Sequence, residues 1–497
     1  MLTHKYQTLD TLDKAKPRTF VFYVASFCCA ASVYLAITLA TTLSTINTAL
    51  AQTNQQDNEN VLLYLSAILA IQAESDDTES GANGSPNLPS IPSGSLCEGF
   101  AVNDRRDRPM QAMAIPEPGT QYRDAVFGSK ITRITNSSAL DSGIIKTLYS
   151  TVQAWNADES FMLLWHRGEG HFLYNGQTYE LIEQLPFTPA DIEQLFWSSS
   201  NPDLLYYPNT VVGRTVETTQ GSYLLRGNEI MSYNVRSRLF TVIKDLNSVC
   251  AGRRISAGND AQNIAFNDDV FALRCGTQGF SYRISNDTTT LMQSSAGVNA
   301  PQAFPSGELF YHDGNILNQQ LVPQRALDLA SVNEHSNLGR LENGNDAYFA
   351  VAFAANSKNS CGDGVGSVVV HDVTDSSCRV LVGPANDYPY TLSGTHISAL
   401  AKQRPGWVAV SSIGYGTEGD TALEQEIYLV NTDPQESEVC RIAHHRATGR
   451  LGSIGYFAEP HPVLSPSGTR ILFSSDWNNS GKVDTFVIEL AGFLSGS

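Results

Sequence analysis

The chain of 497 residues carries a formal net charge of −18, with 50 Asp and Glu against 32 Lys and Arg. Phosphate binding needs patches of Lys and Arg, so this balance argues against nucleic acid as a partner. Length alone suggests two to four domains, but 38 glycines and plentiful Ser, Asn and Thr fit many short strands joined by tight turns, which all-β repeat folds carry in one piece.

At the N-terminus, Lys5, Lys14, Lys16 and Arg18 precede an almost wholly apolar stretch, Phe20 to Leu43, and Ala49-Leu50-Ala51 offers a small-x-small cleavage site before Gln52. Residues 1–51 therefore read as a cleaved signal peptide. The alternative is an uncleaved signal anchor, because an apolar run of about 24 residues is long enough to span a bilayer. Either way the remainder is exported, so the protein is expected to be secreted or periplasmic, or anchored in the membrane by residues 20–43. Loss of the signal deepens the net charge to about −20.

Six cysteines follow the signal, and an even count in an exported chain argues for disulfides. Cys250 with Cys275 and Cys361 with Cys378 each flank one expected repeat, which leaves Cys97 for Cys440. Residues 52–121 read as a low-complexity tether and leader, in which Val61–Ile71 is an apolar stretch too short to cross a membrane as a helix.

From residue 122 to 497 the chain repeats a unit seen most clearly at Glu459 to Leu490. There a short inner strand leads to a Ser465-Pro466-Ser467-Gly468 turn, an alternating strand with Ile471 and Phe473, a polar loop and a further strand. Trp155 to Leu164 opens the first such unit and Leu195 to Tyr207 the second, which carries an insertion around Arg214 to Gly221 expected as a surface loop. Further units run from about Arg254, Pro301, Glu334 and Thr395. The last has only three strands, whereas Phe127 to Thr135 is a strand without a unit of its own. Supplying the missing strand from the N-terminus closes the ring, so the expected fold is an all-β, seven-bladed β-propeller, with six or eight blades as alternatives. Trp155, Trp197, Trp407 and Trp477 recur near the turns, a spacing that fits packing between blades.

The sequence Glu-Pro-His-Pro followed by Ser-Pro-Ser-Gly-Thr-Arg-Ile-Leu-Phe-Ser-Ser-Asp-Trp (residues 459–477) resembles the blades of Tol-type periplasmic propellers and of oligogalacturonate lyases, seven-bladed polysaccharide lyases. In register with it, His335, His396 and His461 occupy equivalent places in three successive blades, about 61 and 65 residues apart. Innermost strands line the central channel of a propeller, so the three are expected to converge at one mouth. Imidazoles brought together beside a carboxylate, Glu459 or Glu334, suit a divalent metal, with Mn, Ca or Zn as the options. The resemblance likewise implies a histidine cluster holding a metal that neutralises a substrate carboxylate. The alternative is three polar side chains plugging the channel.

His166 and His171, beside Trp165 and Arg167, form a second candidate group, able to hold a sugar acid with His as base and Arg as clamp, with a solvated hairpin as the favoured alternative. Lys402 and Arg404 are further candidates for base or clamp. The functional expectation is an exported, monomeric propeller that binds a carbohydrate-like ligand at the channel mouth and cleaves uronate polysaccharides by metal-assisted β-elimination. The competing expectation is a non-catalytic propeller that meets an envelope protein.

Overall fold

The computed structural model describes residues 94–258, 262, 264–327, 335–352, 361, 366–389 and 395–490. The expected signal segment, the first part of the tether and Glu334 lie outside the described residues. Seven sheets, antiparallel but for one parallel pairing at Phe240 and Thr218, form a seven-bladed β-propeller, and each blade runs from a short inner strand at the channel to an outer strand at the rim. In blade six, for example, His396–Ser398 is followed by Trp407–Ser412, Glu426–Asn431 and Glu438–His444.

Both faces of a blade are covered by its neighbours, which explains why the middle strands read as continuous apolar runs and not as half-polar alternations. Every residue of Trp407–Ser412 and of Arg470–Ser475 is buried. All four tryptophans picked out by spacing are buried in the core: Trp155, Trp197, Trp407 and Trp477. Burial of one such large side chain contributes on the order of 1.5–3 kcal/mol or more, so the inter-blade seams hold much of the stability.

Blade seven is completed by the N-terminal strand Lys130–Arg133, which pairs antiparallel with Asp484–Glu489 in the register Thr132 to Val487. Buried Asp484 secures this closure by accepting from Arg133 Nη2 at 2.7 Å and from the Ser137 backbone N–H at 2.6 Å. A fifth strand, Gln121–Arg123, lies outside it, one more than the sequence pattern suggested. The adjoining seam with blade one carries a buried ion pair, Arg470 Nη2 to Glu159 Oε2 at 2.6 Å.

The insertion in blade two is a hairpin and not an irregular loop. Val212–Thr218 pairs with Gly221–Arg226 and extends that blade to six strands. The two-residue turn is closed by Thr218 Oγ1 donating to the Gly221 carbonyl at 2.6 Å. Residues 94–115 run along blade six, with Asn103 N–H bonded to the Val439 carbonyl at 2.7 Å and Met110 N–H to that of Gly419 at 2.9 Å. Disulfides join Cys97 to Cys440, Cys250 to Cys275 and Cys361 to Cys378, the pairing expected from the blade boundaries.

Candidate functional site: a histidine and carboxylate cluster at one channel mouth

Each inner strand enters the channel at the same face. His335 stands just before Ser336–Arg340, His396 opens His396–Ser398, and His461 lies two residues before Val463–Leu464. The three rings meet. His335 stacks on His396 with centroids 4.3 Å apart, and His461 meets His396 edge-on at 4.4 Å. Glu459 adds a carboxylate, its Oε2 3.5 Å from His396 Nε2 and 3.6 Å from His461 Nε2.

One ligand atom from each of His396, Glu459 and His461 lies within 4.8 Å of the others, and all three residues are buried. His335 Nδ1 donates to the Thr395 carbonyl, which orients the ring beside His396.

His461 is the most constrained member. It is wholly buried, and neither ring nitrogen closes a hydrogen bond of good geometry among the described residues. Its φ of 41° lies in the left-handed region, between Pro460 and Pro462, a conformation that costs on the order of 1–3 kcal/mol and collects at functional sites. Burial, reinforced by the nearby Lys146 ammonium and the two other imidazoles, holds its pKa well below the ordinary histidine value. The same burial raises the Glu459 carboxyl, against the pull of Arg450 and His335. Arg450 Nε stands 3.3 Å from Glu459 Oε1 and reaches it from solvent. Imidazoles with a carboxylate are a donor set that fits a divalent cation, and a buried imidazole with unmade hydrogen bonds is the kind of group such an ion would satisfy.

Other residues missed in the sequence complete the mouth. Tyr149 packs on both His396 (5.6 Å) and His461 (4.8 Å), and Tyr456 packs on His461 at 5.0 Å. Tyr456 Oη donates to Glu193 Oε1 at 2.7 Å. Lys146, from the inner strand of blade one, is buried with its Nζ 5.2 Å over the Tyr456 ring and bonded to the Leu148 carbonyl. Burial lowers its pKa to about 8, opposed by Glu193, Glu459 and Asp191. A lone lysine in the apolar run Gly143-Ile144-Ile145-Lys146 was the signal available for it.

The remaining expected residues stand apart from the cluster. His166 is on the same rim, since Ile145 pairs with His166, but its Nε2 is bonded to Tyr174 Oη at 2.7 Å and its ring stacks on Phe172. His171 Nε2 is bonded to the Ile192 carbonyl at 2.8 Å. Both are thus held by blade one and its following loop. Arg404 sits in the turn at the far end of the blade six inner strand and donates to the Gly94 carbonyl, away from the histidine mouth. Lys402 shares that end, its Nζ donating to Ser199 Oγ at 2.6 Å and lining a channel cavity of about 40 Å³. Cys361, His371 and Cys378 also cluster, but the disulfide between the two cysteines removes their thiolates as ligands.

Fold and site together define a seven-bladed propeller with a buried histidine and carboxylate cluster at one mouth. No protein-family model matches the chain, and no curated protein matches it. Among solved structures it is similar to an oligogalacturonate lyase from Vibrio parahaemolyticus, with 13% identity over 74% of this chain and 96% of that one and a TM-score of 0.50. It is equally similar to an oligogalacturonate lyase in complex with manganese, at 15% identity over 76% and 97% and the same TM-score of 0.50. At these identities the likeness establishes the propeller fold.

Proposed function

We propose that the protein is an exported propeller that processes uronate-containing polysaccharide at the histidine mouth by β-elimination, with a divalent cation held by His396, His461 and Glu459 and with His335 beside them. The observation that carries this reading is His461, a buried imidazole whose two nitrogens close no hydrogen bond of good geometry among the described residues, kept in a strained backbone conformation against a carboxylate.

A cation in that place would neutralise the substrate carboxylate and so acidify the adjacent carbon. Arg450, exposed and reaching Glu459 from solvent, is the cation that would meet an incoming carboxylate. Lys146 Nζ is the amine nearest the cluster on blade one. Burial depresses its proton affinity, which favours the free base needed to take up a proton. Tyr149 and Tyr456 pack their rings at tilted angles against His461 and help exclude water from the cluster. Three disulfides accord with an oxidising, extracellular or periplasmic setting, and no helix among the described residues is long and apolar enough to cross a membrane. The fold shared with oligogalacturonate lyases, one of them a manganese complex, supports the same class of chemistry.

The test is elemental analysis of the purified protein after incubation with Mn, Ca or Zn salts, alongside a scan of uronate polysaccharides for the ultraviolet absorbance of an unsaturated product. One equivalent of a metal in the wild type, lost in His461→Ala together with product formation, is the expected result. Wild-type protein that retains no metal from any of the three overturns the proposed chemistry and leaves a binding propeller.

A further inference from the structure

A groove of about 510 Å³ opens on the rim that carries the histidine cluster, within the volume range of about 300–1,000 Å³ usual for small-molecule sites. Trp165, Phe187, Glu169, Gln184, Asp191 and Arg214 line it. One layer of side chains separates it from the cluster. Tyr456 packs on His461 on one side and bonds Glu193, two residues from Asp191, on the other. The next residue, Phe457, stacks on Trp165 at 5.8 Å.

The hairpin of blade two distinguishes this groove from an ordinary crevice between blades. The other four-strand blades close without such an addition, and much of the hairpin is exposed: Val212 is 73% and Leu224 57% accessible. Val216 and Leu225 tuck into the core, so core burial accounts for only part of the hairpin. It does carry the exposed Arg214 to the groove. An indole face, two carboxylates, an amide and a guanidinium are a set that reads sugar hydroxyls, the carboxylates accepting and the Gln and Arg donating. With Glu169 and Asp191 against the single cation Arg214, the lining is net negative, which disfavours a second uronate there.

Resting on the function proposed above, we infer that this groove is a second sugar subsite, which binds an uncharged, hydroxyl-rich unit of the same polysaccharide whose uronate occupies the histidine mouth. The preferred ligand is then a heteropolysaccharide in which neutral sugars alternate with uronates, not a uronate homopolymer.

Calorimetric titration with two hexasaccharides tests this, one a galacturonate homopolymer and one in which galacturonate alternates with rhamnose. The wild type should bind the alternating chain about tenfold tighter, equivalent to about 1.4 kcal/mol. Arg214→Ala and Glu169→Gln, both at exposed rim positions, should each erase that preference while leaving homopolymer affinity unchanged. Equal affinity of the wild type for the two chains, or an equal loss for both chains in the variants, overturns the subsite alone. Failure of the wild type to bind either chain overturns the subsite together with the function on which it rests.

Discussion

Replacing Arg470 by Met tests whether the seam between the last blade and the first is as dry as the geometry implies. Arg470 and Glu159 are essentially inaccessible, and their side chains meet at 2.6 Å. Glu159 also accepts the Ser467 backbone N–H at 2.7 Å, and Arg470 donates to the Gly176 carbonyl and lies 4.9 Å over the Trp155 ring. Met fills much of the volume but leaves the Glu159 carboxylate buried with one backbone donor. Loss of one partner of such a pair costs about 3–5 kcal/mol, whereas removing both with apolar residues is often neutral. Arg470→Met should therefore lower unfolding free energy by about 3–5 kcal/mol, while Glu159→Leu combined with Arg470→Met recovers most of it. Urea denaturation of wild type, both single variants and the double variant closes the cycle. A single-variant cost below about 1 kcal/mol would mean a solvated pair of the exposed kind and would refute the argument.

Two further outcomes concern stability. Burial holds His445 at about 3, with its Nε2 donating to the Ser412 carbonyl at 2.9 Å, so it stays neutral in the folded protein while its unfolded counterpart takes up a proton below about 6.5. Its folded pKa is depressed and the group is a base, so stability is lost as pH falls through 6.5. Between pH 7 and pH 5 the wild type should lose about 2 kcal/mol more than His445→Gln, measured by chemical denaturation at the two pH values. Replacing Cys97 and Cys440 by Ser should lower stability by about 2–5 kcal/mol, because that bond spans 343 residues of chain and pins the leader to blade six, and differential scanning calorimetry would register the drop.

The architecture was legible because blade grammar is local. A Ser-Pro-Ser-Gly turn followed by Ile471 and Phe473 on one face specifies a strand pair without reference to anything distant. The histidine cluster was legible for a related reason, since equal spacing along the chain becomes convergence once each repeat sends its first strand to a common axis. Arg404 stands apart by the same geometry. A strand rises about 3.3 Å per residue, so a residue beyond the end of the blade six inner strand faces the opposite mouth from His396 however close the two are in sequence. The hairpin at Val212 to Arg226 was hidden because its strands bury little and leave no apolar alternation to detect. Tyr456 and Lys146 were hidden because each owes its place to a partner in another blade.

The closure of blade seven also sets an order of events in folding. Arg133 and Asp484, which lock the closing strand, are 351 positions apart. At synthesis rates of about 5–20 residues per second, the N-terminal strand waits roughly 20–70 s for its partner to emerge. Through that interval Lys130–Arg133 presents an unpaired edge beside a first blade whose Glu159 still lacks Arg470. The ring is thus an assembly completed late, and a chaperone acting on this protein has most to protect at its N-terminal end.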